Sequence, residues 1–202
     1  MKQSPTKKHY HLFVITGLSG AGKTSLADEL LNQEGTPLKL KKLVSYTTRR
    51  PRPGETAGKD YFFITEQEFA ALQTAQGFLE TSCYNGNFYA TPSTHLKNPN
   101  WDSNYLVVTD IKGAIALKDL FPDRTKLIFI DVASLEEAQK RLINRGLDSL
   151  ETLEQRFERN LADLTFFMKH QNRFSLAVTN DNFANALKEL YNFISQVTKP
   201  VQ

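Results

Sequence analysis

The sequence predicts an α/β fold: a mainly parallel sheet flanked by helices, with a smaller mixed β segment inserted into it. Three observations carry this. Short apolar runs alternate with segments of helical periodicity along the 202 residues. The runs Leu12–Thr16, Tyr105–Thr109 and Lys126–Asp131 have continuous apolar centres (Leu12–Ile15, Leu106–Val108 and Leu127–Ile130) rather than alternating ones, as in strands covered on both faces. The first run ends at Gly17 and leads through a glycine-rich segment into helical spacing at Leu26, Ala27, Leu30 and Leu31, a strand–loop–helix unit.

The elements follow in order. The first ten residues are polar and basic and read as a flexible N-terminal arm. Lys42–Tyr46 is expected as one short strand, and Pro51, Pro53 and Gly54 then break regular structure. Tyr61–Ile64 resumes a strand. Thr65-Glu-Gln-Glu68 is a capping box opening a helix with Phe69 and Leu72 inward. Phe78–Tyr89 reads as a hairpin turning at Asn85-Gly86. Ile111–Phe121 fits a crossover helix. Ser134-Leu-Glu-Glu137 is a second capping box, for a helix ending at Gly146. Asp148 is the expected cap of the next helix, and Leu150, Leu153, Phe157, Leu161 and Leu164 are its expected apolar stripe. Ser175–Val178 is a last strand, and Phe183, Leu187, Leu190 and Ile194 mark a final helix. The expected organisation is a core of residues 11–45, 96–134 and 166–202, an inserted subdomain at 46–95 and a short helical lid at 135–165.

Composition narrows the function class. With 25 basic and 22 acidic residues the net charge is +3, which excludes a wholesale polycation but not a local anion site. The charge is unevenly spread: residues 37–59 hold seven basic residues and one acid. Cys83 is the single cysteine, so an intramolecular disulfide scaffold is excluded and a cytoplasmic location is expected. Apolar stretches of four residues fall far short of the ~20 a membrane helix needs, so no membrane partner is expected.

Gly17-Leu-Ser-Gly-Ala-Gly-Lys-Thr24 matches G-x-x-x-x-G-K-[ST], the P-loop. The glycines let the backbone wrap closely and aim several N–H groups at one phosphate, and the following helix offers its positive end. Lys23 can reach the β- and γ-phosphates, and the Thr24 hydroxyl can ligate Mg²⁺. The candidate nucleoside triphosphate site is therefore Gly17, Ser19, Gly20, Ala21, Gly22, Lys23 and Thr24, with Ser25 after them. The bland alternative is a glycine-rich turn with a surface lysine, which would carry the entropic penalty of three glycines to no end. A P-loop does not by itself name an activity.

Val44-Ser-Tyr-Thr-Thr-Arg-Arg-Pro-Arg-Pro-Gly-Glu55, followed by Gly58-Lys-Asp-Tyr-Phe-Phe63, resembles the guanylate kinase family when read with the P-loop. Gly86-Asn-Phe-Tyr89, Asp110, Arg141–Gly146, Arg156 and Asn180-Asp181 follow in the family's order, so the resemblance covers roughly residues 12–195. It implies a P-loop NTPase-type core, an inserted subdomain for the acceptor nucleotide and Mg-dependent transfer of the γ-phosphoryl group of ATP to GMP, and by extension dGMP. It implies a GMP site of Ser45, Arg49, Arg52, Tyr61, Glu80, Tyr89, Thr91 and Asp110, and places Asn180 near the adenine. Lys23, Arg49, Arg145 and Arg156 become the candidate catalytic residues, the last two as lid arginines.

The residue chemistry agrees with that reading. Two unit charges ~4 Å apart repel by about 4 kcal/mol at an effective dielectric of 20, so a monophosphate needs fixed cations to approach a triphosphate. Arg49 and Arg52, three apart in a proline-stiffened loop, can present two guanidinium forks to one phosphate. A carboxylate can accept from both the N1–H and the amino group of guanine, the role implied for Glu80. Taken alone, Glu80 would be a surface carboxylate, Arg50 and Lys39–Lys42 a solvated basic face, and some of Arg141, Arg145, Arg156 and Arg159 partners of Glu136, Glu137, Glu154 and Glu158 on exposed helices. Five positions depart from the family pattern: Leu18, Phe88, Ala90, Lys112, and Val108, which stands where the family usually has an aspartate. Val108 keeps open a non-catalytic guanylate-kinase-like interaction module. Few stacking partners in the basic segment argue against nucleic acid, and Glu80 with Ser45 argues against another small acceptor. A monomer and a homodimer are both compatible with the sequence.

Overall fold

The protein is described by a computed structural model over residues 10–32, 38–84, 86–94, 96–97, 101–146 and 149–199. The chain opens with β1 (Leu12–Gly17) and α1 (Lys23–Asn32), then β2 (Leu40–Lys42), β3 (Tyr46–Thr47), β4 (Phe62–Phe63), α2 (Glu66–Thr74), β5 (Phe78–Tyr84) and β6 (Asn87–Pro92). It returns through β7 (Asn104–Val108), α3 (Ile111–Leu120), β8 (Thr125–Asp131), α4 (Leu135–Arg145), α5 (Leu150–Lys169), β9 (Leu176–Thr179) and α6 (Phe183–Thr198).

Five strands form a parallel sheet in the order β2-β7-β1-β8-β9. β1 is central, and its side chains alternate between two cores, which explains why its run is continuously apolar. Phe13 and Ile15 pack with Leu26 and Leu30 of α1 and Leu190 and Ile194 of α6. Leu12 and Val14 face Ala114 and Leu117 of α3 and Trp101. Each such fully buried side chain contributes roughly 1.5–3 kcal/mol. A stacked pair, Phe129 on β8 and Phe167 on α5 with centroids 4.0 Å apart, joins the end of α5 to the first core.

The second sheet runs β4-β3-β6-β5, with β3–β4 parallel and the other pairs antiparallel. Phe69 of α2 closes its inner face against Phe78 at 4.9 Å, and Tyr46 stacks on Phe62 at 4.8 Å. The Thr65–Glu68 capping box is complete in both directions. The hairpin pairs Tyr84 with Asn87, as expected for a two-residue turn, although Asn85 lies outside the described residues.

Several expectations are corrected. The single strand expected over 42–46 is two: Leu43 still donates to the Leu106 carbonyl beside β2, while Tyr46 pairs with Ala90 in the other sheet. The chain changes sheets between them because the partners that fix a short strand lie far away in sequence. α5 is capped by Ser149, whose side chain accepts from the Thr152 N–H, rather than by Asp148, which lies outside the described residues. Ser134 accepts from the Glu137 N–H at the start of α4, and Gly146 ends that helix in the left-handed conformation. The apolar stripe expected on α5 does not face inward as a unit: Leu150 is 81% exposed and Leu161 58%. The buried positions of α5 are Leu153, Arg156, Asn160 and Asp163, because this helix packs against a polar site as well as the core. The predicted N-terminal arm lies outside the described residues except for Tyr10. Among the described residues no helix is long and apolar enough to cross a membrane.

Candidate functional site

A cavity of about 330 Å³ opens where the carboxyl ends of β1 and β7 meet the second sheet and the helices α4 and α5. Open α/β sheets bind ligands at this edge. Gly17, Ser19, Gly20, Gly22, Lys23, Thr24 and Ser25 form one wall, and Ser45, Arg49, Arg52, Tyr61, Glu80, Tyr89 and Asp110 the opposite one. Arg145 and Arg156 close it from the helices, with Arg141 beside them. Three predicted site residues, Ala21, Thr91 and Asn180, are not on the wall; each is buried just behind it.

The loop after β1 is held from behind. The Asn180 side-chain amide donates to the Ala21 carbonyl at 2.8 Å, and its backbone carbonyl accepts from Arg141 at 2.9 Å. Gly22 has φ +81°, and a Cβ there would meet Asn180 Nδ2 at 2.6 Å, so this close approach requires glycine. Lys23 folds onto the loop and donates to the Gly17 and Leu18 carbonyls, each at 2.8 Å. Burial lowers the Lys23 pKa to about 8, partly offset by the charge of Asp163.

At the opposite wall Arg49 forms a two-pronged pair with Glu55, with bonds of 2.8 and 2.9 Å, and lies over the Tyr61 ring at 5.5 Å. Glu55 also accepts from the Arg52 N–H at 2.7 Å, so one carboxylate organises both arginines. Burial alone would lower the Arg49 pKa, but Glu55 and Tyr89 together more than reverse it. Arg52 is pushed down by burial and then by Arg49, Arg145 and Arg156, a sign of how closely the cations converge. Burial, with Tyr89 nearby, raises the Tyr61 phenol to about 12, so it remains a hydrogen-bond donor.

Glu80 lies at the base of this wall, 8% exposed, and accepts from the Thr91 hydroxyl. Burial raises its pKa to about 7, with the neighbouring Asp110 adding to the shift. The Glu80 side chain also crowds α3: a Cβ on Gly113 would meet Glu80 Oε2 at 2.7 Å and Thr109 Oγ1 at 2.5 Å. Asp110 caps α3 through the Gly113 N–H and lies 3.6 Å from Arg159. Val108 ends β7 on the cavity wall, so the position opposite the loop carries no carboxylate.

On α5, Arg156 donates to Ser19 Oγ at 2.7 Å and lies over the Tyr84 ring at 5.4 Å. Asn160 meets the Ser19 backbone twice, and Arg159 pairs with Asp163 at 3.1 Å. Arg141 pairs with Glu137, so one expected helix ion pair is present even beside the cavity. Lys41 and Lys42 pair with Asp102 and Asp28 away from the cavity. The sequence reading missed Ser82, Tyr84, Thr109, Asn160 and Asp163. Helical spacing of 156, 160 and 163 was the available signal for the last two, hidden because polar residues on a helix resemble a solvent-facing side.

Residues 9–197 match the family model described as guanylate kinase. The chain is 38% identical over 181 residues to a guanylate kinase of Dechloromonas aromatica, covering 89% of this chain and 86% of that one. It is 36% identical over 185 residues to the guanylate kinase of Caldanaerobacter subterraneus, covering 91% and 86%. Its structure is similar to the crystal structure of guanylate kinase from Anaplasma phagocytophilum, with TM-score 0.75, 25% identity, and 96% and 89% of the two chains covered.

The brace behind the loop can be measured by urea denaturation. Asn180→Ala is expected to destabilise the fold by about 1–3 kcal/mol, because the buried Ala21 carbonyl loses its donor. Asn180→Asp is expected to cost more, since a carboxylate would face that carbonyl.

Proposed function

The chain belongs to the guanylate kinase family and is thereby a nucleoside monophosphate kinase with GMP as acceptor; from this premise we propose that ATP is its donor, with Mg²⁺, and that dGMP also serves. The carrying observation is the convergence of Lys23, Arg49, Arg52, Arg145 and Arg156 on one cavity between the phosphate loop and Glu80. Five cations gathered around one small space suit two phosphate chains brought together.

In this reading the loop N–H groups cradle the donor phosphates, and Lys23 leaves the Gly17 and Leu18 carbonyls for the β- and γ-phosphates. Arg49 exchanges the Glu55 carboxylate for the acceptor phosphate, which Arg52, Tyr61 and Tyr89 also hold. Glu80 accepts from the guanine N1–H and amino group, with Ser45 and Asp110 alongside. A phosphate oxygen of GMP attacks the γ-phosphorus, the bond to the β-phosphate oxygen breaks, and ADP leaves as GDP forms. Arg145 and Arg156 stabilise the charge on the group in flight. The residues fit Mg²⁺ held in its usual way, by few protein ligands with phosphates and water. Thr24 is exposed beside the loop, and the described residues contain no cluster of three carboxylate, histidine or cysteine side chains that would cage a metal. Mg²⁺ would supply charge neutralisation at the donor phosphates.

A kinetic panel of GMP, dGMP, AMP, UMP and IMP with MgATP tests the reading. Turnover is expected with GMP and dGMP, weaker turnover with IMP, which lacks the amino group, and none with AMP or UMP. Absence of GMP-dependent ADP release from folded protein, or a preference for AMP, would contradict it. The raised Glu80 pKa adds a pH dependence. Below about pH 7 the neutral carboxyl loses acceptor capacity, so KM for GMP is expected to rise as pH falls from about 8 to about 6. GMP itself titrates near pH ~6, so the comparison is with Glu80→Gln, whose KM should start high and lack the Glu80 contribution.

A further inference from the structure

Asn160 is 1% exposed in the interior of α5, where asparagine is a middling helix former and a buried amide is costly unless both its ends are partnered. Both are, and by one residue. The Ser19 N–H donates to Asn160 Oδ1 at 2.6 Å, and Asn160 Nδ2 donates to the Ser19 carbonyl at 2.9 Å. The two opposed bonds engage the peptide groups on both sides of the Ser19 Cα, so they fix the loop's orientation as well as its distance. One turn earlier on the same helix, Arg156 donates to Ser19 Oγ at 2.7 Å. All three polar groups of Ser19 are thus engaged by α5. Three residues beyond Asn160, the charge of Asp163 acts on Lys23.

We propose that Asn160 is a positioning residue for phosphoryl transfer: by clamping the Ser19 peptide it locks α5 in register with the phosphate loop, so that Arg156 stands over the loop before either nucleotide arrives. The proposal rests on the kinase reading above, yet it concerns a residue behind the cavity wall that need touch no substrate. An apolar residue at this position could fill the space, but it would leave the Ser19 N–H without its acceptor and the helix free to slide.

The test is steady-state kinetics of Asn160→Ala and Asn160→Leu, with circular dichroism to establish folding. KM for ATP is expected to rise about tenfold and kcat to fall about tenfold, the scale of one or two lost hydrogen bonds, while KM for GMP stays within about twofold. A merely structural role would reduce the active fraction and leave both KM values unchanged; that result overturns the proposal, as does wild-type behaviour of Asn160→Leu. Calorimetry with ADP reads the loop without turnover: about tenfold weaker binding in the variants is expected, and unchanged binding overturns the clamp. An inactive wild type would instead count against the kinase reading alone. Should neither variant fold, hydrogen exchange at the Ser19 amide of the ligand-free wild-type chain decides: slow exchange is expected, and exchange at the rate of an unstructured peptide overturns the clamp.

Discussion

Mutual repulsion among cations is the constraint around which the site is organised. Arg52 is disfavoured as a cation by burial and then by Arg49, Arg145 and Arg156, so these groups are held together against their own charge. At an effective dielectric of 20, two like charges ~4 Å apart cost about 4 kcal/mol, more than most single contacts return. The fold offsets this with carboxylates placed one by one. Glu55 bridges Arg49 and the Arg52 backbone, Asp163 pairs with Arg159 and acts on Lys23, and Asp110 lies near Arg159. The same arrangement explains affinity for phosphates, since an incoming anion relieves strain that the protein already carries.

Holding cations against repulsion demands a stiff frame, and the phosphate loop is where the frame converges. β1 enters it from the middle of the parallel sheet, Asn180 braces Ala21 from the end of β9, and Asn160 holds Ser19 from α5. The second sheet has its own small aromatic core around Phe69, Phe78 and Tyr46. It presents Arg49, Tyr61, Tyr89 and Glu80 as a wall separate from the loop. The two walls meet where Leu79 of β5 packs against the core that holds Ala114 and Leu117 of α3, an arrangement that suits a site bringing the phosphates of two ligands together.

What the sequence disclosed follows from the range of the interactions involved. β1, the phosphate loop, the Thr65 capping box and the 78–89 hairpin are written in residues close together, and their patterns are legible in the chain. The guanylate kinase resemblance extended that legibility to Arg49, Arg52 and Glu80; nothing local in Phe78-Leu-Glu-Thr81 marks Glu80 as buried. Tyr84, Thr109 and Asn160 stayed hidden because their partners are far away in sequence, 141 residues in the case of Asn160 and Ser19. Leu150 and Leu161 misled for the complementary reason: a helix beside a polar cavity turns its charged and amide side chains inward, and some of its leucines outward.

The convergence of both walls on one pair of phosphate chains is tested most directly with a bisubstrate analogue, adenosine and guanosine joined 5′ to 5′ by a chain of five phosphates, titrated by calorimetry. One molecule should bind per chain, at least a hundredfold tighter than ADP or GMP alone, and with an affinity that falls steeply with salt. Binding no tighter than that of the better single nucleotide would mean that the two walls do not act on neighbouring phosphates.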